Sequence, residues 1–89
     1  MSAFSLQVTY RQGRPFAAYI YLHAGPAQNS ARSERVSSEV LIDYSADGTP
    51  LGIEIISPEH VSFDEINAAF DRMGLARPEP SELEPLRAA

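Results

Sequence analysis

The sequence predicts an α+β domain: a small antiparallel β-meander of about four strands with one C-terminal helix packed on one face. Three observations point there. Apolar and polar residues alternate in several short runs through the first half of the chain. An Asp47-Gly48 pair sits between two such runs, and a capped amphipathic helix begins at Ser62.

Leu6, Val8 and Tyr10 alternate with Ser5, Gln7 and Thr9, the period-two pattern of a half-buried strand. Arg11-Gln12-Gly13-Arg14-Pro15 punctuates it as a turn. The second strand runs from Phe16 to His23, with Ala18, Ile20 and Leu22 on one face and Ala17, Tyr19, Tyr21 and His23 on the other. Ala24 to Ser33 is small and polar and reads as a loop. A third strand is expected from about Val36 to Tyr44, and a fourth from Thr49 to Ile56. If Asp47 and Gly48 form a two-residue turn, Ile42 faces Ile53 and Val40 faces Ile55, with Leu51 on the same apolar face. A slip by one residue would set Glu54 opposite Val40, so the pattern selects this register. Pro50 has no N–H and needs an edge or a bulge.

Ser62 and Glu65 form a capping box, and Val61 and Ile66 are spaced as a hydrophobic staple. Phe63, Ile66, Phe70 and Met73 make one apolar stripe, which Gly74 terminates. Residues 1–76 are therefore expected to form one domain, with 77–89 a Pro- and Glu-rich tail. In that tail Ser81 and Glu84 either cap a further turn carrying Leu83 and Leu86 or the segment is loose.

The run from Val40 to Ile55, with its Asp43-Tyr44 pair, Asp47-Gly48 turn and Gly52-Ile53-Glu54-Ile55 strand, resembles the small bacterial family known as domain of unknown function 2283. Ala18-Tyr19-Ile20-Tyr21-Leu22 is similar to the Leu-Tyr-Ile-x-Leu strand of that family. Two positions depart from it: Pro15-Phe16-Ala17 lacks the usual acidic residue, and Ser45 stands where a second Asp is common. The resemblance covers roughly residues 6–56 and implies a compact β-meander without an assigned activity. Some members accompany short toxin-like proteins, which implies an antitoxin-like or partner-binding role.

At 89 residues the chain fits a single domain of modest stability. It has no cysteine, so disulfides, thiolate chemistry and Cys-based zinc sites are excluded. The start lacks a signal-peptide pattern and Phe16–Leu22 is too short to span a bilayer, so a cytoplasmic protein is expected. The net charge is −5, and all twelve acids lie in residues 34–89. Such a surface repels phosphate backbones and suits a basic protein or a cation, which argues against nucleic acid as the ligand.

Asp43 and Glu54 are expected close together on the face opposite the core, near Tyr19, Tyr21 and His23. Carboxylates beside His and Tyr are the groups that bind a divalent cation or move protons, so a small metal- or ligand-binding enzyme using Asp43, Glu54 and His23 is one reading. No HxxxH, HExxH or Asp-x-Asp-x-Asp spacing accompanies them, and a solvated sheet face accounts for the same residues. His60 reads as a loop residue, Ser57 and Ser62 lack a nucleophile elbow, and Gly48 and Gly52 are assigned to the hairpin and to close strand packing. No catalytic residue, metal or cofactor is assigned. Tyr19, Tyr21, Leu41 and Ile56 make this face too apolar for full exposure, while Glu39, Asp43 and Glu54 make it too polar for a core. That mixture is the composition of an interface. The expectation is a protein-binding or regulatory module that forms a homodimer and engages a basic partner.

Overall fold

The computed structural model describes residues 4–22 and 29–86. His23 and the first half of the expected loop that follows it lie outside the described residues. Five strands form one antiparallel sheet: β1 (Phe4–Arg11), β2 (Arg14–Leu22), β3 (Arg32–Ser37), β4 (Val40–Tyr44) and β5 (Pro50–Ile56), in the order β1-β2-β5-β4-β3. The β1–β2 hairpin and the β3–β4–β5 meander join where β5 lies beside β2. The helix α1 (Phe63–Met73) packs over β3 and β4, and its Phe70 ring meets Phe4 of β1 at 5.7 Å.

The additional strand comes from dividing the stretch read as one strand from Val36. Ser38 and Glu39 turn the chain, so Ser37 pairs with Val40 and Arg35 with Leu41. Neither Gly nor Pro marks this turn. It is held instead by the Arg35 guanidinium, which donates to the Ser38 carbonyl at 2.9 Å, and by Glu39 N–H donating to Ser37 Oγ at 3.4 Å. The new β3 contains Arg32 and Ser33, expected in the loop.

Ile42 pairs with Ile53 and Val40 with Ile55, the expected register. The turn that delivers it differs. Ser45 N–H donates to Thr49 O and Gly48 N–H to Ser45 O, closing a loop over Ala46, Asp47 and Gly48 in which Gly48 alone has positive φ, at 88°. This loop is one residue longer than a two-residue turn, and a bulge where Tyr44 pairs with Pro50 absorbs the difference. Pro50 thus opens its strand at a bulge, where its missing donor costs nothing. Leu51 is carried out of the alternation: it is half-buried and lies outside the core cluster. Ser45, where the resembling family often has Asp, is buried and bonds Asp47 and the Thr49 amide, so it builds the loop.

One face of the sheet supplies the core: Phe4, Ala18, Ile20, Val40, Ile42, Ile53 and Ile55 pack against Val61, Ile66, Ala69 and Phe70. The capping box is complete, with Glu65 N–H donating to Ser62 Oγ and Ser62 N–H to Glu65 Oε2 at 2.8 Å. The tail is docked. A 3-10 turn over Pro80–Leu86 buries Leu83 and Leu86 in the same core, capped by Glu79 N–H donating to the Glu82 carboxylate at 2.9 Å and not by Ser81 and Glu84. Among the described residues no helix is long and apolar enough to cross a membrane.

Candidate functional site

Alternation sends Tyr19 and Tyr21 of β2, Leu41 and Asp43 of β4, and Glu54 and Ile56 of β5 to the face opposite the core. The register sets them in cross-strand rows. Gln7, Tyr19, Glu54, Leu41 and Arg35 form one row, and Ser5, Tyr21, Gly52, Asp43 and Ser33 the next. The six residues proposed from sequence as an interface therefore share one contiguous surface.

Its centre is a buttressed carboxylate. Tyr19 Oη donates to Asp43 Oδ2 at 2.7 Å, and Ser33 Oγ donates to Asp43 Oδ1 at 2.5 Å. Tyr19 is on β2 and Asp43 on β4, so the phenol reaches its partner across the intervening β5. Gly52 opens the passage. A Cβ there would stand 2.3 Å from Tyr19 Cε2, 2.5 Å from its hydroxyl and 2.6 Å from the Ile20 carbonyl oxygen. The tyrosine ring fills the slot left by the missing side chain. Beside it Tyr21 packs at a centroid distance of 4.6 Å and donates to Gln7 Oε1 at 3.0 Å.

Burial, and then the bonded Asp43 carboxylate, push the Tyr19 phenol well above the usual tyrosine range. At neutral pH it is a donor held in its neutral form, neither a base nor a nucleophile. Asp43 accepts a hydroxyl hydrogen bond on each oxygen, so it ties β2, β3 and β4 together. Glu54 is exposed, beside Tyr19 on one strand and Leu41 on the other. Among the described residues no group of three or more His, Cys, Asp or Glu is placed to hold a metal ion. Of the alternative Asp43, Glu54 and His23 set, the structure brings the two carboxylates onto one face in the expected diagonal relation; His23 lies outside the described residues.

Two members of the site were not singled out from sequence. Ser33 fell in the expected loop, with only its polar alternation with Arg35 to mark a strand. Arg35 reaches this face through the same unmarked strand. Gly52 was assigned to close packing, and the structure shows what packs there. His60 is exposed and lies away from this face, in an open groove of about 220 Å³ with Glu59, Arg11 and Arg14. Arg14 there is ion-paired with Glu59 at 3.5 Å, and Arg11 stacks over the Phe16 ring at 4.4 Å.

The exposed part of the face is apolar at its middle: Tyr21 retains 47% and Ile56 38% of full exposure, with Leu41 and Tyr19 half-buried between them. No described element covers it. No curated protein and no solved structure matches the chain. Residues 17–57, which carry Tyr19, Asp43, Gly52 and Glu54, match the family described as protein of unknown function (DUF2283).

Proposed function

We propose that this chain is a protein-binding module whose docking surface is the Tyr19/Tyr21/Leu41/Ile56 face, and that its partner presents a basic, partly apolar surface. The observation that carries the reading is the open tyrosine-centred patch with carboxylates but few cations among its neighbours. Aromatic residues dominate binding energy at interfaces, and a rigid ring loses little entropy on docking. The Tyr19–Asp43–Ser33 bonds hold one ring of the patch in place before any partner arrives. Among the described residues of these cross-strand rows Arg35 is the cation, and its guanidinium is spent on the Ser37 and Ser38 carbonyls. Glu54 therefore faces solvent with its charge unpaired among the described residues, and a cation from a partner would complete it. An antitoxin-like role, with a small basic protein as the neutralised partner, is one form of this function.

Amide chemical-shift mapping with an amphipathic Arg/Leu peptide tests the proposal. The expected result is a set of shifts confined to Tyr19, Tyr21, Leu41, Glu54 and Ile56, weakened by salt and by Glu54→Gln. Shifts located elsewhere would overturn it. The competing metal-site reading is separated by melts with Mg²⁺, Ca²⁺, Mn²⁺ and Zn²⁺. A saturable rise in Tm that Glu54→Gln and Asp43→Asn both abolish would replace the docking reading with a metal site.

A further inference from the structure

The two edges of the sheet are guarded unequally. β3 is 6 residues long, carries Arg32, Glu34 and Arg35, and is bulged between Arg35 and Ser37. Its Glu34 is tied to Arg72 of the helix at 3.0 Å. Charges, shortness and a bulge are the devices that stop an edge from pairing. β1 is 8 residues long, and from Phe4 to Tyr10 it has no charged residue and no proline.

The hydrogen-bond alternation shows what β1 presents. Ile56 N–H donates to Glu39 O and Ala31 N–H to Tyr44 O, which sets the bonded and non-bonded pairs across the sheet. Carried through the registers, Ser5, Gln7 and Thr9 turn their backbone groups toward β2, while Leu6 and Val8 turn theirs outward. The tail turn touches β1 at its far end, where Tyr10 Oη donates to the Pro85 carbonyl at 3.5 Å, but among the described residues no backbone–backbone bond of a loop or turn reaches that outer edge.

We infer that the β1 edge is a homodimer interface, in which β1 of a second copy pairs antiparallel about a twofold axis at Gln7. This register alone is centred on the uncharged stretch and also matches the outward backbone groups. Leu6 of each copy faces Val8 of the other in a bonded pair, Phe4 faces Tyr10, and Gln7 meets its twin on the axis. Apolar side chains stay on the core face and polar ones on the opposite face, so both layers continue across the junction. Gln7 Oε1 already accepts from Tyr21 Oη at 3.0 Å, which leaves its amide N–H groups for the partner's Gln7. The pairing brings no like charges together. It stands independently of the docking proposal, although it would set two docking faces side by side on one continuous sheet.

Sedimentation equilibrium with charge variants tests the interface. The wild-type chain is expected to be dimeric at about 100 µM, a concentration that populates even weak dimers. Gln7→Lys sets two like charges on the axis and should give a folded monomer, since Gln7 is exposed, that melts below the wild-type dimer by the stabilisation association lends it. Gln7→Glu should do the same, and mixing the two variants should restore a dimer. Ile56→Arg, on the same face but away from the β1 edge, should leave the dimer intact. A wild-type monomer at that concentration overturns the inference. So does a Gln7→Lys dimer, or a dimer abolished by Ile56→Arg alone, because either places the contact elsewhere.

Discussion

The two faces of the sheet are made from alternate residues of the same strands, yet they are held by different physics. The core face is apolar and largely covered, by α1 on one side and by the Leu83/Leu86 turn on the other. Its contacts are interchangeable in kind, and their strength comes from area and close packing. The opposite face is held by specific polar joints, centred on the Tyr19 ring seated over Gly52 with its hydroxyl on Asp43. It remains open to solvent. The comparison teaches that a covered face can tolerate approximate side-chain choice, whereas an open face needs a defined lock to stay ordered without a lid.

The largest effect should come from the covered face. Phe70→Ala removes the ring that joins the helix to Phe4 and should cost about 3–5 kcal/mol, measured by urea denaturation. Leu83→Ala should fall in the same range. A loss close to that of an exposed site would mean that the tail does not share the core.

Gly52→Ala attacks the lock on the open face and should cost about 3 kcal/mol, because the new methyl meets the Ile20 carbonyl as well as a movable ring. Combining it with Tyr19→Ala relieves only the ring clash, so the double variant should recover part of the loss. Full additivity would show that ring and glycine are not coupled.

Tyr19→Phe keeps the ring but leaves Asp43 Oδ2 without its donor, and should cost about 1.5 kcal/mol. It also changes the alkaline limb. Because the folded state raises the Tyr19 pKa, its contribution is complete below about pH 10, where unfolded tyrosine ionises, and is lost as pH climbs toward the folded value. Wild-type stability should therefore fall above about pH 10 more steeply than that of Tyr19→Phe, a difference read from urea midpoints across that range. Equal slopes would mean that the phenol ionises in the folded protein as freely as in the unfolded one.

Most of the frame was legible in the residues. The alternation of β1 and β2, the Ile42–Ile53 register and the Ser62/Glu65 capping box are each written in a few neighbouring positions, because period-two burial and end-capping are local effects. The β3 strand was not legible: Arg32 to Ser37 has no clear apolar alternation, and its turn at Ser38-Glu39 uses an arginine reaching back to carbonyls in place of Gly or Pro. The hairpin length was read one residue short. The register survived because the longer loop and the bulge at Tyr44–Pro50 cancel.

By itself, then, the sequence determined most of the residues that face inward, Leu51 excepted, where the helix starts and stops, and that Tyr19, Tyr21, Leu41, Asp43, Glu54 and Ile56 share a face. Side-chain direction along a strand or helix follows from backbone period alone. Only the tertiary structure decided that β5 lies between β2 and β4, which turns Gly52 from a spacer into the slot for Tyr19 and makes Asp43 the acceptor for hydroxyls from β2 and β3. It also decided that the tail is core and that β1 is an edge. Those outcomes depend on strand order and on contacts between residues far apart in the chain, and no local pattern encodes which strand will stand beside which.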